Sequence, residues 1–243
     1  MGQTTEYLSE RRSAESPTIR PLKGQDFWHA LYLGFMDLRR APGISLPMAA
    51  LYVVGCICLT LLRPFGPLTL ISAALAFALL LPYSAVGFFE TSRRLERGLR
   101  LDWPEVWTVI RRQRSGEVPW IAAIVALSGL AYILAMAFLA VNGWVITISI
   151  IFTIAVGLVI CAVTVLALPL VMDRQFDLAK ALMLSLTMVR QNPGITLAWT
   201  TIAALMVFVS SWTGYLGLLL AVPLLGHGSW HLYRRAFRQL PTE

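Results

Sequence analysis

The chain predicts an all-α, polytopic membrane protein. Six transmembrane helices are expected as three hairpins, each preceded by an amphipathic helix, in a pseudo-threefold internal repeat. Three observations lead there. Of 243 residues, 57% are hydrophobic and only 14% charged. Soluble domains carry about 25% charged residues, so this chain reads as burying itself in lipid rather than around one aqueous core. Its apolar residues gather in uncharged runs near or above the ~20 residues that cross a bilayer. A proline-centred pattern also recurs three times.

Residues 1–21 are polar, with Thr4, Glu6, Ser9, Glu10, Arg11 and Arg12 among them. They read as a disordered cytoplasmic tail that buries too little apolar surface to order itself, and no signal peptide opens the sequence. The membrane domain is expected over residues 22–233. Its spans fall at about 44–62, 68–89, 119–141, 144–172, 195–211 and 214–233, and a cytoplasmic tail follows over 234–243. The last two spans come from one run, Ile195–Tyr233, broken at Ser210-Ser-Trp-Thr-Gly214. A single helix over that run would be roughly 58 Å long, too much for one crossing. Hairpin turns are read at Arg63-Pro-Phe-Gly-Pro67, Asn142-Gly143 and Trp212-Thr-Gly214, all rich in turn formers.

An amphipathic stretch precedes each hairpin. Phe27, Trp28, Leu31, Phe35 and Leu38 alternate with His29, Asp37, Arg39 and Arg40. Trp103, Val106, Trp107 and Ile110 alternate with Glu105, Arg111 and Arg112. Phe176, Leu178, Leu182 and Val189 sit among Asp177, Lys180 and Arg190. Tryptophan with a basic edge suits a membrane surface. With both termini on one side, that side holds all 20 lysines and arginines except Arg63. The positive-inside rule makes it cytoplasmic, which places the protein in a bacterial inner membrane as a multi-pass protein.

The repeat rests on aligned prolines. Arg40-Ala-Pro42-Gly-Ile-Ser-Leu is similar to Gln191-Asn-Pro193-Gly-Ile-Thr-Leu, and Glu117-Val-Pro119-Trp-Ile-Ala-Ala occupies the same place between them. Each proline opens a first helix, where its missing N–H has no partner to lose. Leu81-Pro82, Leu168-Pro169 and Val222-Pro223 lie near the exits of the second helices, where proline is expected to bend them. Glu90, Asp177 and His231 follow at one common offset. Val86, Asp173 and His227 follow at a second, and Arg93, Lys180 and Arg234 at a third.

Four segments carry a likeness to known sequences: Gly34-Phe-Met-Asp-Leu-Arg-Arg-Ala-Pro-Gly43, Gly87-Phe-Phe-Glu-Thr-Ser-Arg-Arg-Leu-Glu-Arg-Gly98, Leu168-Pro-Leu-Val-Met-Asp-Arg-Gln-Phe-Asp177 and Pro223-Leu-Leu-Gly-His-Gly-Ser-Trp-His-Leu-Tyr-Arg234. Together they resemble a family of bacterial inner-membrane proteins of unknown function. Some of its members are labelled cytochrome c oxidase subunit I-like. That label implies haem and copper on several helix-borne histidines, and this chain has 3 histidines, one of them before the first span. The label does not fit. The resemblance implies a compartment and a topology but no activity.

No ionisable residue stands in the middle of an expected span, which argues against a proton relay or ion-coupled pump. No HExxH, GxSxG or phosphate-cradling glycine loop is present, so no enzymatic activity and no cofactor are expected. Ser72, Ser128, Thr153, Thr164 and Thr200 read as helix-packing or back-bonding residues. The three cysteines read as small buried hydrophobes. What remains is a cytoplasmic-rim cluster: Glu90, Asp173, Asp177, His227, His231, Arg93, Arg174 and Arg234. His227 and His231 lie one turn apart and, with carboxylates, would suit a divalent metal. Salt-bridging and snorkelling at the bilayer edge is the simpler expectation. The net charge of +7 points to the lipid bilayer, and to anionic lipid at the cytoplasmic face, as partner. A membrane-protein complex is the other expected partner; nucleic acid is not, since no recognition motif accompanies the charge. The leading expectation is a non-enzymatic accessory, scaffold or assembly subunit. A small transporter or channel for a neutral or amphipathic solute is the alternative.

Overall fold

Proline marks where the helices begin. Pro42, Pro67 and Pro193 each sit in the first positions of a long helix, as their lost N–H predicts. The computed structural model describes residues 19–141 and 147–237, and no strand occurs among the described residues. In chain order the helices are α1 Gly24–Arg40, α2 Pro42–Leu61, α3 Pro67–Glu96, α4 Trp103–Arg112 and α5 Val118–Val141. They continue as α6 Thr147–Ala162, α7 Leu168–Arg174, α8 Leu178–Gln191, α9 Pro193–Trp212 and α10 Leu218–Ala236.

Five stretches are long and apolar enough to cross a membrane: Pro42–Leu61, Pro67–Glu96, Val118–Leu139, Thr147–Arg174 and Pro193–Trp212. The sixth expected span forms as α10 but is not among them. Its second half carries His227, Ser229, His231, Arg234 and Arg235, so its apolar length runs out. The three amphipathic stretches form as α1, α4 and α8.

The turns follow local chemistry. Between α2 and α3, a 3-10 turn over Arg63–Phe65 ends at Gly66 with φ of 94°, a conformation glycine adopts without cost. Between α9 and α10, Gly214 and Tyr215 both have positive φ, a little later than the turn read from sequence. The Asn142-Gly143 turn lies outside the described residues. Prolines act unequally within helices. α3 and α10 run through Pro82 and Pro223, whereas Pro169 follows a π-helical segment, Val163–Ala167, that joins α6 to α7. A proline frees the carbonyl four residues back, and Val165 lies within that segment, so the local widening has an identifiable cause.

Both ends of the described chain are tied down. Arg20 N–H donates to the Ala236 carbonyl at 3.0 Å, and Leu22 N–H to Asn192 Oδ1 at 2.6 Å. Ile19 and Leu22 pack on the core. Residues 1–18 of the expected N-terminal tail lie outside the described part. At the other end α10 continues past residue 233 to Ala236.

The packed core sits toward the end of the spans that carries the basic loops. α2 buries Ile44, Met48, Ala49 and Val53; α3 buries Val86, Phe88 and Phe89; α5 buries Ile121 and Val125. Their opposite halves expose Leu61, Leu68, Leu79, Leu80, Leu134 and Phe138. Apolar helix surface that no protein covers is what a lipid-facing helix presents. Cys58 is exposed and Cys56 only partly covered, so neither is the buried hydrophobe expected; both lie in that open half of α2. Helix α10 packs against α1, α2, α3 and α9, and His227 through Tyr233 are all buried. Its approach to α1 is backbone-close. A Cβ on Gly34 would stand 2.7 Å from Gly228 N and from the Leu224 carbonyl, so only glycine permits this crossing.

Candidate functional site

The core end of the bundle is laced with polar contacts, and helix periodicity explains which side chains turn inward. On α10, His227 and His231 lie one turn apart on one face, yet they reach different helices. His227 is fully buried, with Nε2 2.8 Å from Ser45 Oγ on α2 and Nδ1 2.8 Å from Ser92 Oγ on α3. Phe88 closes over it edge-on, with ring centroids 5.3 Å apart. Each hydroxyl can donate or accept, so either neutral tautomer of the ring is satisfied. His231 Nε2 lies 2.7 Å from Asp37 Oδ2 on α1, with both side chains buried.

Glu90, completely buried on α3, is clamped by the arginines of its own next turn. Arg93 Nε donates to Oε2 at 2.7 Å and Arg94 Nε to Oε1 at 2.6 Å. Arg94 continues to Glu105 on α4 at 3.0 Å and to the Arg100 carbonyl at 2.9 Å. The spacing of three and four residues makes this fork automatic on a helix. Asp173, at the end of α7, accepts from the Tyr233 hydroxyl of α10 at 2.9 Å. Arg97 and Arg174 approach it at 3.7 Å, and Arg174 Nε and Nη2 are buried without a hydrogen bond. Arg234 donates to Glu96 at 3.3 Å, and Trp230 Nε1 donates to the same carboxylate at 3.2 Å.

The sequence-predicted residues thus fall into separate groups. Asp173 and Arg174 meet Arg97 and Tyr233. Glu90 stays with Arg93, and Arg234 with Glu96. His227 and His231 part company. Asp177 joins none of them; it is exposed and caps α8, accepting from Lys180 N–H at 3.3 Å. Among the described residues no three His, Cys, Asp or Glu side chains gather as metal ligands would. Sequence reasoning passed over Asp26, Ser45, Ser92, Glu96, Tyr233 and Arg235 as members. Asp37 was seen only as one polar position of an amphipathic helix. A carboxylate on a turn that also buries Gly34 and Leu38 was the available signal.

On α1, Asp26 accepts from Lys23 N–H at 2.9 Å and pairs with Arg235 and Arg20. Burial pushes its carboxyl up, but the Lys23 amide and the two arginines outweigh burial and hold it below the usual range. His29 is lowered by burial and by the charges of Arg235 and His231. Each buried carboxylate here, Asp26, Asp37, Glu90 and Asp173, has a cationic or imidazole partner. The arrangement ties α1, α3, α7 and α10 together; it holds none of these carboxylates as an unpaired base.

Residues 70–158 match the family model described as a predicted integral membrane protein, DUF2189. This agrees with the resemblance read from sequence, since the family is uncharacterised and its description names only a membrane setting. The match runs from α3 through α4 and α5 into α6. It takes in Glu90, Arg93 and Glu105, while the partners on α7 and α10 lie beyond it. No curated protein and no solved structure matches the chain. The protein is an integral membrane protein with several apolar helices.

Among the serines and threonines of the spans, Ser72, Ser128 and Thr200 bond back to carbonyls four residues earlier, at 2.8, 2.8 and 3.0 Å. They act as expected. The side chains of Thr153 and Thr164 lie outside the described residues. The polar pair Tyr52–Ser84, 2.6 Å apart, links α2 to α3.

Proposed function

We propose that the protein is a non-catalytic accessory, scaffold or assembly subunit of a bacterial inner membrane. In this reading α10 completes six spans in three hairpins, and the units α1–α3, α4–α7 and α8–α10 are copies of one plan. Residues 22–233 form the membrane domain and both tails are cytoplasmic. The bond between Arg20 and Ala236 supports termini on one side, and the distribution of basic residues supports that side being cytoplasmic.

One observation carries the functional reading. The buried carboxylates of the rim are spent on cations or imidazole, as the pairs Asp37–His231, Glu90–Arg93 and Asp26–Arg235 show most directly. A site that performs chemistry needs a group poised and unsatisfied; a rim that braces helices needs the opposite. The surface left over is apolar helix and basic edge, suited to a membrane-protein partner or anionic lipid. Extraction into native nanodiscs, followed by identification of bound protein and lipid, tests this. A stoichiometric membrane partner or a defined anionic lipid is expected. A lone chain with ordinary bulk lipid would overturn it.

A second reading, a small transporter or channel for a neutral or amphipathic solute, draws support from the π segment Val163–Ala167 beside Pro169, because such segments are frequent at functional sites. Solute flux in reconstituted liposomes, lost when Pro169→Ala straightens the helix, would favour it.

A further inference from the structure

Two amphipathic helices carry an aromatic ring with a cation over it four residues on, and a third such pair bridges the entry to α8. On α1 the Arg39 guanidinium lies 6.0 Å from the Phe35 ring centroid. On α4 Arg111 lies 5.7 Å from the Trp107 ring. At the start of α8 the Lys180 ammonium lies 4.3 Å from the Phe176 ring. We propose that these three pairs are the seats at which anionic phospholipid headgroups dock on the protein.

Three features of the surface support this. On α1 and α4 the rings belong to exposed apolar stripes at helical spacing, Trp28, Tyr32 and Phe35 on the first and Trp103 and Trp107 on the second, while Phe176 is half-buried just before α8, whose exposed apolar residues are Met183 and Leu186. Such stripes belong at the boundary of acyl chain and headgroup. The acids of the same helices are each engaged within the protein, Asp26 and Asp37 buried, Glu105 and Asp177 exposed. Asp26 serves Arg235, Asp37 serves His231, Glu105 serves Arg94, and Asp177 caps its own helix. Arg39 and Arg111 are exposed and Lys180 half-buried, none of them in an ion pair with these acids. Finally, a cation held over a ring keeps its hydrogen-bonding edge free for a phosphate oxygen while the ring rests on the chain below. A phosphodiester above an acyl chain matches that order of charge and grease.

The inference rests on the reading of this end of the bundle as a lipid-engaging rim. The full chain, delipidated in mild detergent, is titrated with phosphatidylglycerol or phosphatidylethanolamine, and bound lipid is counted by native mass spectrometry. Wild type is expected to retain phosphatidylglycerol in preference. The triple variant Arg39→Gln, Arg111→Gln, Lys180→Gln should lose that retention about tenfold. A ring-removal triple, Phe35→Leu, Trp107→Leu, Phe176→Leu, should lose part of it with charge unchanged. The control Arg40→Gln, Arg112→Gln, Arg190→Gln removes equal charge from the same helices without touching a pair, and should change it little. A loss in the control equal to that in the pair variant would overturn the proposal in favour of diffuse charge. Displacement of the lipid by inorganic phosphate at matched concentration would overturn the assignment to lipid. Unchanged binding in the pair variant would overturn it outright, yet leave partner co-purification, and so the scaffold reading, intact. All but Phe176 and Lys180, which are half-buried, sit at the surface, and folding of each variant is checked by an unchanged thermal midpoint.

Discussion

At the residue scale, Asp37 and His231 show why pairing, not composition, decides what a buried group does. Alone, either would be a costly polar group in an apolar interface; together at 2.7 Å they join α1 to α10. Replacing one partner strands the other, so Asp37→Ala should cost about 3–5 kcal/mol, read as a lowered thermal midpoint in detergent. Asp26 makes a different prediction, one of pH. Its carboxyl is held below the ordinary value, so the folded state favours the ionised form. The stabilisation is complete above the unfolded value of about 3.9 and is lost as pH falls through the lowered folded value. Protease sensitivity of α1 should therefore rise only on acidification below about pH 4. In Asp26→Asn that acid-dependent rise should be missing.

Elements are placed by how closely their backbones can approach. α1 crosses α10 at Gly34 and Gly228, where a Cβ added to Gly34 meets backbone atoms at 2.7 Å. Backbone cannot yield as the tip of a side chain can, so Gly34→Ala should cost about 1–3 kcal/mol through separation of the two helices. Gly24→Ala, where a Cβ meets nothing within 4 Å, is the matched control and should leave the thermal midpoint unchanged. At Gly226 an added Cβ would meet Phe88 near its base, Cγ at 2.8 Å and Cβ at 3.0 Å, so this crossing is tight as well. The helix starts at Pro42, Pro119 and Pro193 and the turn over Arg63–Pro67 were legible because they depend on local backbone chemistry. The fate of Pro82, Pro169 and Pro223 was not. All three look alike in sequence, but only Pro169 brings a π segment, which depends on what surrounds the helix.

For the whole molecule, the arrangement predicts a topology. If the basic end faces the cytoplasm, green fluorescent protein fused after Glu243 should fluoresce, and alkaline phosphatase inserted after Gly66 should be active. The reverse pattern would invert the assignment. The same scale explains what was and was not legible at the candidate site. Glu90 with Arg93 and Arg94 is a local arrangement readable from spacing alone. Asp173 with Tyr233, and His227 with Ser45 and Ser92, are contacts across 60, 182 and 135 residues, and no periodicity reports them.

By itself the sequence determined the solvent of this protein. Lipid demands long uncharged runs and confines charge to their ends, and both demands are met along the chain. The tertiary structure alone decided which polar groups meet. A helical period reveals which face of a helix is apolar, but not which neighbour that face will find. So two histidines one turn apart on α10, a ligand pair on paper, serve two different interfaces, one through serines and one through an aspartate.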